Sequence, residues 1–152
     1  MLHAHDESVR AHLLEGGFGL EKESLRIDGV DAEGVVSAVD LLGAIGDGDY
    51  PDFTGKRVVV VGGGNTAMDA ARAAKRLSGV ESVALVYRRT RRQMPADLEE
   101  LELAAHDGVR FMELRNPGAL RDGRLTLDIM RLGRVDASGR QSPEPTGETE
   151  TI

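Results

Sequence analysis

The chain has 152 residues, no cysteine and a formal net charge of −7. This length fits one compact domain with its own core, and the missing cysteines exclude disulfides, a redox-active C-x-x-C pair, a thiolate iron–sulfur site and a cysteine nucleophile within these residues. The acidic balance speaks against general nucleic-acid binding, and neither a charged-then-apolar leader nor an apolar run near the ~20 residues of a membrane span is present, which predicts a cytoplasmic protein.

Residues 1–54 hold three basic against twelve acidic side chains, whereas the one dense positive cluster is Arg88, Arg89, Arg91 and Arg92. Residues 1–20 mix charge with Gly16-Gly17 and sustain no period, which predicts a loosely organised arm or a short helix around Ser8 to Leu14. His3, His5 and His12 lack metal-ligand spacing and read as exposed side chains. Apolar residues at Val35, Val36, Val39, Leu41, Leu42 and Ile45 are spaced as one helix face, followed by a Gly-rich linker over Gly46 to Asp49. Lys56 to Val61 is a β-branched run of the kind found in strands buried on both faces, and it runs straight into Gly62-Gly63-Gly64. Asn65 to Leu77 is Ala-rich with helical period and stops at Ser78-Gly79, where glycine can take the left-handed conformation. Ser82 to Tyr87 is a second Val-rich strand. Strand, Gly turn, helix and strand together predict a right-handed βαβ unit.

Pro95 suits the first turn of a helix reaching His106, with Glu99, Glu100 and Glu102 near its positive end. Val109 to Leu114 alternates as a third strand. Asn116-Pro117-Gly118 and Asp122-Gly123 read as turns flanking a strand from Arg124 to Leu132. From Asp136 onward the chain is polar and reads as a connection.

The turn Gly62-Gly63-Gly64-Asn65-Thr66-Ala67 matches G-x-G-x-x-A, and each position has a task in binding a pyrophosphate. Gly62 permits the tight turn, Gly64 lets backbone amides approach phosphate oxygens, and Ala67 lets the helix pack close to the sheet. The helix N-terminus adds free N–H groups and its positive dipole end. The bland alternative is a strand-to-helix turn that binds nothing. No Gly-Lys-Ser/Thr follows, which disfavours a mononucleotide P-loop. At the end of the second strand, NAD-preferring sites place an acidic residue on the ribose 2′-hydroxyl. Here Tyr87-Arg88-Arg89-Thr90-Arg91-Arg92 stands instead, and guanidinium groups suit a 2′-phosphate. NADP(H) is therefore expected over NAD(H), against the alternative of a merely solvated basic loop.

The stretch GKRVVVVGGGNTAMDAARAAKRL, followed by VALVYRRTRRQMPA, resembles the NADPH-binding domain of the glutamate synthase small-subunit-like, FAD-dependent pyridine nucleotide oxidoreductases. The resemblance extends from about Ser24 to Ile152. It implies a domain inserted between two halves of an FAD domain, with hydride passing from nicotinamide to flavin. It also implies that Gly62, Gly63, Gly64, Asn65 and Thr66, with Ala67, form the pyrophosphate turn and that Arg88 and Arg89 form the 2′-phosphate corner. Tyr87 stands where related two-domain reductases often carry His. Gln93 stands where they carry a third Arg, for which Arg91 or Arg92 is the substitute.

The expected fold is α/β, a Rossmann-type three-layer dinucleotide-binding domain with a parallel sheet and a β-meander excursion. Residues 1–54 are expected to be an N-terminal arm and lead-in segment, and residues 55–152 an NADP(H)-binding domain truncated before the FAD domain. The expected function is to position NADPH for hydride transfer to FAD held in the parent enzyme, which makes that FAD domain the partner, with no role for nucleic acid or membrane. Cofactor-binding residues are Gly62, Gly63, Gly64, Asn65, Thr66, Ala67, Arg88, Arg89 and Arg92, with no catalytic side chain and no metal site. The rival readings are a stand-alone NADPH-binding or regulatory module without catalysis, and an Arg-cluster RNA-binding module.

Overall fold

The computed structural model describes the backbone of residues 12–15 and, in full, residues 35–152. Among the described residues, two sheets and three α-helices make three layers. The middle layer is a parallel sheet of five strands, β1 (His12–Glu15), β2 (Val35–Ser37), β3 (Arg57–Val61), β4 (Ser82–Val86) and β5 (Arg110–Met112), in the order β2-β1-β3-β4-β5. β3 lies at its centre, and its unbroken valine run has a simple cause. Val58, Val59 and Val60 are all buried, so neither face of this strand meets water.

One face carries α1 (Ala38–Gly46), α2 (Asn65–Arg76) and α3 (Leu98–His106). Val58, Val60, Val83 and Leu85 pack there with Ala67, Met68, Ala71, Ala74, Leu101 and Ala104. The alanines let α2 lie close to the sheet, and Met68 fills the space they leave. The other face is covered by an antiparallel meander of β6 (Arg115–Arg121), β7 (Arg124–Val135) and β8 (Gln141–Thr151). Its Leu120, Leu125 and Leu127 pack on Val35, Val59 and Val86. The expected α/β class, parallel sheet and meander are all present.

Several elements differ from expectation. Residues 12–15, placed by sequence in a loose arm or a helix from Ser8, form a strand between β2 and β3, with Leu13 opposite both Val35 and Val59; residues 8–11 of that segment lie outside the described residues. Val35 and Val36 belong to an edge strand rather than to the helix that follows. The helix expected from Pro95 starts at Leu98, with Asp97 as its N-cap. The cause is local: Ala96 N–H donates to Gly63 O at 3.0 Å and Asp97 N–H to Asn65 Oδ1 at 2.9 Å, which draws the backbone across to the Gly turn first.

Asn116-Pro117-Gly118 is not a turn but part of β6, where Pro117 opposes Leu127 and the register shifts before Ala119. An edge strand with a bulge is where a sheet tolerates proline. The polar tail after Asp136 is strand β8. Most of its side chains are exposed and none is buried, so no apolar alternation marked it, and its Pro143 and Pro145 again lie on an edge strand. Asp122-Gly123 is a turn as read, with φ of 50° and 71° at the two positions.

Candidate functional site

β3 and β4 run parallel with Val61 opposite Val86, so the segments that follow them emerge side by side at the carboxyl edge of the sheet. In open α/β sheets ligands bind at that edge. Gly62 follows β3 with φ of 132°, a conformation closed to most side chains, and its N–H donates to Val86 O at 3.1 Å. Gly63 is buried. A Cβ there would lie 2.7 Å from Cε1 of Tyr87, so this glycine is required by the tyrosine ring rather than by backbone torsion. Gly64 caps α2 in extended conformation, and a Cβ on it would meet nothing within 4 Å.

The first helical hydrogen bond of α2 is Met68 N–H to Gly64 O at 3.1 Å, and no side chain caps the helix. The amides of Asn65, Thr66 and Ala67 therefore stand ahead of the helical ladder, at the positive end of the dipole. Ala67 is fully buried against the sheet, as its place in the motif requires. The Asn65 side chain is engaged by Asp97: its Nδ2 donates to Asp97 Oδ2 at 3.2 Å while its Oδ1 accepts from Asp97 N–H. Its side chain thus joins the N-termini of α2 and α3.

The arginine segment after β4 divides into anchored and unanchored side chains. Arg91 stacks over the Phe111 ring with its guanidinium carbon 4.7 Å from the centroid, and its N–H donates to Glu113 Oε1 at 2.7 Å. Arg89 is half-buried and donates through Nε to Gln141 O of β8 at 2.9 Å. Arg88 and Arg92 are exposed, and neither engages a described residue. Their charges face solvent beside the Gly turn's strand.

The structure also shows parts that sequence reasoning passed over. Tyr87 packs its ring on Gly63 and donates its hydroxyl to Gln93 O at 3.2 Å. Thr90 and Gln93 form a capping box around a short 3-10 turn, Arg91–Gln93: Gln93 Oε1 accepts from Thr90 N–H at 3.1 Å and also meets the Thr90 hydroxyl. Thr90-x-x-Gln93 is a sequence signature that could have been found.

Other charged groups have structural surroundings. Asp107 at the end of α3 accepts from Arg72 Nε at 2.8 Å, with Arg76 at 3.7 Å and Glu100 3.7 Å from Arg72. The Arg72 hydrogen bond holds the Asp107 carboxyl below its ordinary range and raises the guanidinium's own value. Asp69 is exposed on α2, and His106 sits in the last turn of α3. His3 and His5 lie outside the described residues, as does the side chain of His12. Among the described residues no group of three or more His, Asp or Glu could hold a metal ion, and no helix is long and apolar enough to cross a membrane.

The model of the pyridine nucleotide-disulphide oxidoreductase family matches residues 17–131. The YgfK protein of Escherichia coli is 57% identical over 99 residues, which are 64% of this chain and 10% of that protein. The glutamate synthase (NADPH) small chain of Halomonas elongata is 37% identical over 152 residues, 91% of this chain and 30% of that protein. The NADPH-Fe(3+) oxidoreductase subunit beta of Geobacter sulfurreducens is 44% identical over 108 residues, 67% of this chain and 16% of that subunit. The chain thus spans between a tenth and a third of the length of these relatives. A solved structure of an FprA variant from Mycobacterium tuberculosis superimposes with a TM-score of 0.71 at 23% identity, covering 84% of this chain and 45% of that one, which supports the fold.

Proposed function

Starting from a chain that belongs to the pyridine nucleotide-disulphide oxidoreductase family, in its glutamate synthase small-subunit-like branch, we propose that it binds NADP(H) and presents it to a flavin held in another domain of a parent enzyme. The observation that carries this reading is the pairing of an open, uncapped helix N-terminus after β3 with exposed arginines after β4, on adjacent parallel strands. The residues present fit the cofactor. Gly64 leaves the approach to the α2 amides clear, and those neutral donors suit a pyrophosphate. Arg88 and Arg92 supply unpaired guanidinium groups for a 2′-phosphate. Arg89, held through Nε, keeps its remaining N–H groups for the same anion.

The reduced nicotinamide, when bound, supplies a hydride to the flavin. The part of this chain is to bind and orient: Ala67 and Met68 seat α2 on the sheet, Asn65 and Asp97 fix α3 beside it, and no side chain is assigned proton chemistry. Residues 55–152 carry the nucleotide contacts in this reading, while β1, β2 and α1 of the lead-in complete the sheet and its core. NADPH in the names of the Halomonas and Geobacter relatives supports the choice of nucleotide.

Calorimetric titration of NADPH and NADH against the chain tests the proposal. NADPH is expected to bind at least about tenfold tighter, a difference of ~1.4 kcal/mol, and Arg88→Ala with Arg92→Ala to remove that preference. Equal binding of both nucleotides, or a preference untouched by the substitutions, overturns it.

A further inference from the structure

Tyr87 follows β4 directly and is pinned on both sides by backbone. Its N–H donates to Met112 O at 3.1 Å, and its carbonyl accepts from Arg115 N–H at 2.9 Å. The Cα is therefore fixed by β5 and by the start of β6. From that fixed point the side chain reaches two separate segments. The ring fills the space beside Gly63, where a Cβ would come within 2.7 Å, and the hydroxyl donates to Gln93 O at 3.2 Å, six residues further along the chain.

These contacts close a ring. From Gly63 the path runs through the aromatic ring to the hydroxyl, then to Gln93, along the chain to Ala96, and back by the Ala96 N–H to Gly63 O at 3.0 Å. Arg88 to Arg92 occupy the loop between the tyrosine and its hydroxyl's acceptor. A buried tyrosine satisfied by any nearby carbonyl would be ordinary packing. Here one end of the side chain lies on the Gly turn and the other is bonded to the arginine turn.

We propose that Tyr87 is the positioning residue that sets the separation of the two anion-receiving turns, its ring holding the pyrophosphate turn and its hydroxyl the arginine turn. This rests on the nucleotide-binding reading above. The pyrophosphate and 2′-phosphate of one cofactor are joined covalently, so both can be received at full strength only if the turns are already correctly spaced, and order established before binding is not lost on binding.

The two halves of the side chain are separable. Tyr87→Phe keeps the ring against Gly63 and releases Gln93. Loss of one such hydrogen bond is expected to lower NADPH affinity about fivefold, while NADH, which lacks the 2′-phosphate, changes by less than about twofold. Tyr87→Leu removes the ring as well and weakens both nucleotides. Amide hydrogen exchange without nucleotide gives a second readout: residues 88–93 are expected to exchange faster in Tyr87→Phe, with β3 and α2 unchanged.

Equal weakening of NADPH and NADH in Tyr87→Phe, or unaltered exchange over 88–93, overturns the proposal. If the unaltered chain binds neither nucleotide, the proposed function fails, and the exchange measurement still decides whether the hydroxyl holds the arginine turn. Should Tyr87→Leu not fold, the comparison of the two nucleotides on Tyr87→Phe stands alone.

Discussion

At the residue scale, three successive glycines have three different reasons. Gly62 is needed for its φ of 132° and Gly63 for the space taken by a ring, while Gly64, where a Cβ would meet nothing within 4 Å, is in the proposed function kept for clear approach to the helix amides. Gly63→Ala would force a methyl against Tyr87, and overpacking of this kind costs ~1–3 kcal/mol. Gly64→Ala meets open space and extended backbone, so the change in stability is expected below about 1 kcal/mol, yet both NADPH and NADH should bind at least about tenfold more weakly, because the methyl stands where phosphate oxygens must come close. Urea unfolding and nucleotide titration on the two variants check this. A Gly64→Ala chain that binds normally would show that the amides are not the contact. The tasks of Gly62 and Ala67 were legible in the motif. That of Gly63 was not, because it depends on a ring 24 residues away. The division of the arginines was hidden for the same reason: Phe111 and Gln141, which anchor Arg91 and Arg89, are near them only in the folded chain.

At the scale of elements, α2 and α3 are joined at both ends. Asn65 and Asp97 join their N-termini, and Arg72 with Asp107 clasps the far end of α3 to α2. The Asp107 carboxyl is held below its ordinary range first by the Arg72 hydrogen bond, so the unfolded chain binds a proton more readily than the folded one. Stability from this group is present above the unfolded value and is lost as pH falls through the depressed folded one. Asp107→Asn should therefore lower the melting temperature at pH 7, and the gap should close as pH drops below roughly 4. Thermal unfolding from pH 7 to pH 3 reads this directly, and a gap independent of pH would assign the clasp to packing. Sequence periodicity located α2 to within a residue of its observed end, because a single apolar face met a single sheet. It missed β1, β6 and β8 because short or exposed strands carry little alternation, and their pairing is decided by neighbours distant in sequence.

For the whole molecule, the parallel sheet and its glycine turn were legible because β3 is buried on both faces and announces itself in composition. The way the chain's charge is distributed leads to a further prediction. The protein is acidic overall, at −7, while the arginines after β4 form a local positive field. A long polyanion would be opposed by the overall negative charge, whereas in the proposed function a dinucleotide 2′-phosphate meets only the arginines. Arg88 and Arg92 are exposed, so their attraction is screened as the Debye length shrinks from ~10 Å at 0.1 M salt to ~3 Å at 1 M. In the proposed function the pyrophosphate is received by neutral amides at a helix end and is less dependent on salt through these side chains. Raising sodium chloride from about 0.05 M to about 0.5 M should then reduce the preference for NADPH over NADH about threefold, the weight of one exposed ion pair. Single-stranded RNA at moderate salt should leave bound NADPH in place. A preference that does not move with salt would mean that the 2′-phosphate is read by buried groups rather than by these arginines. Displacement by RNA would instead make the arginine segment a nucleic-acid contact, and the adjacency of the Gly turn would be incidental.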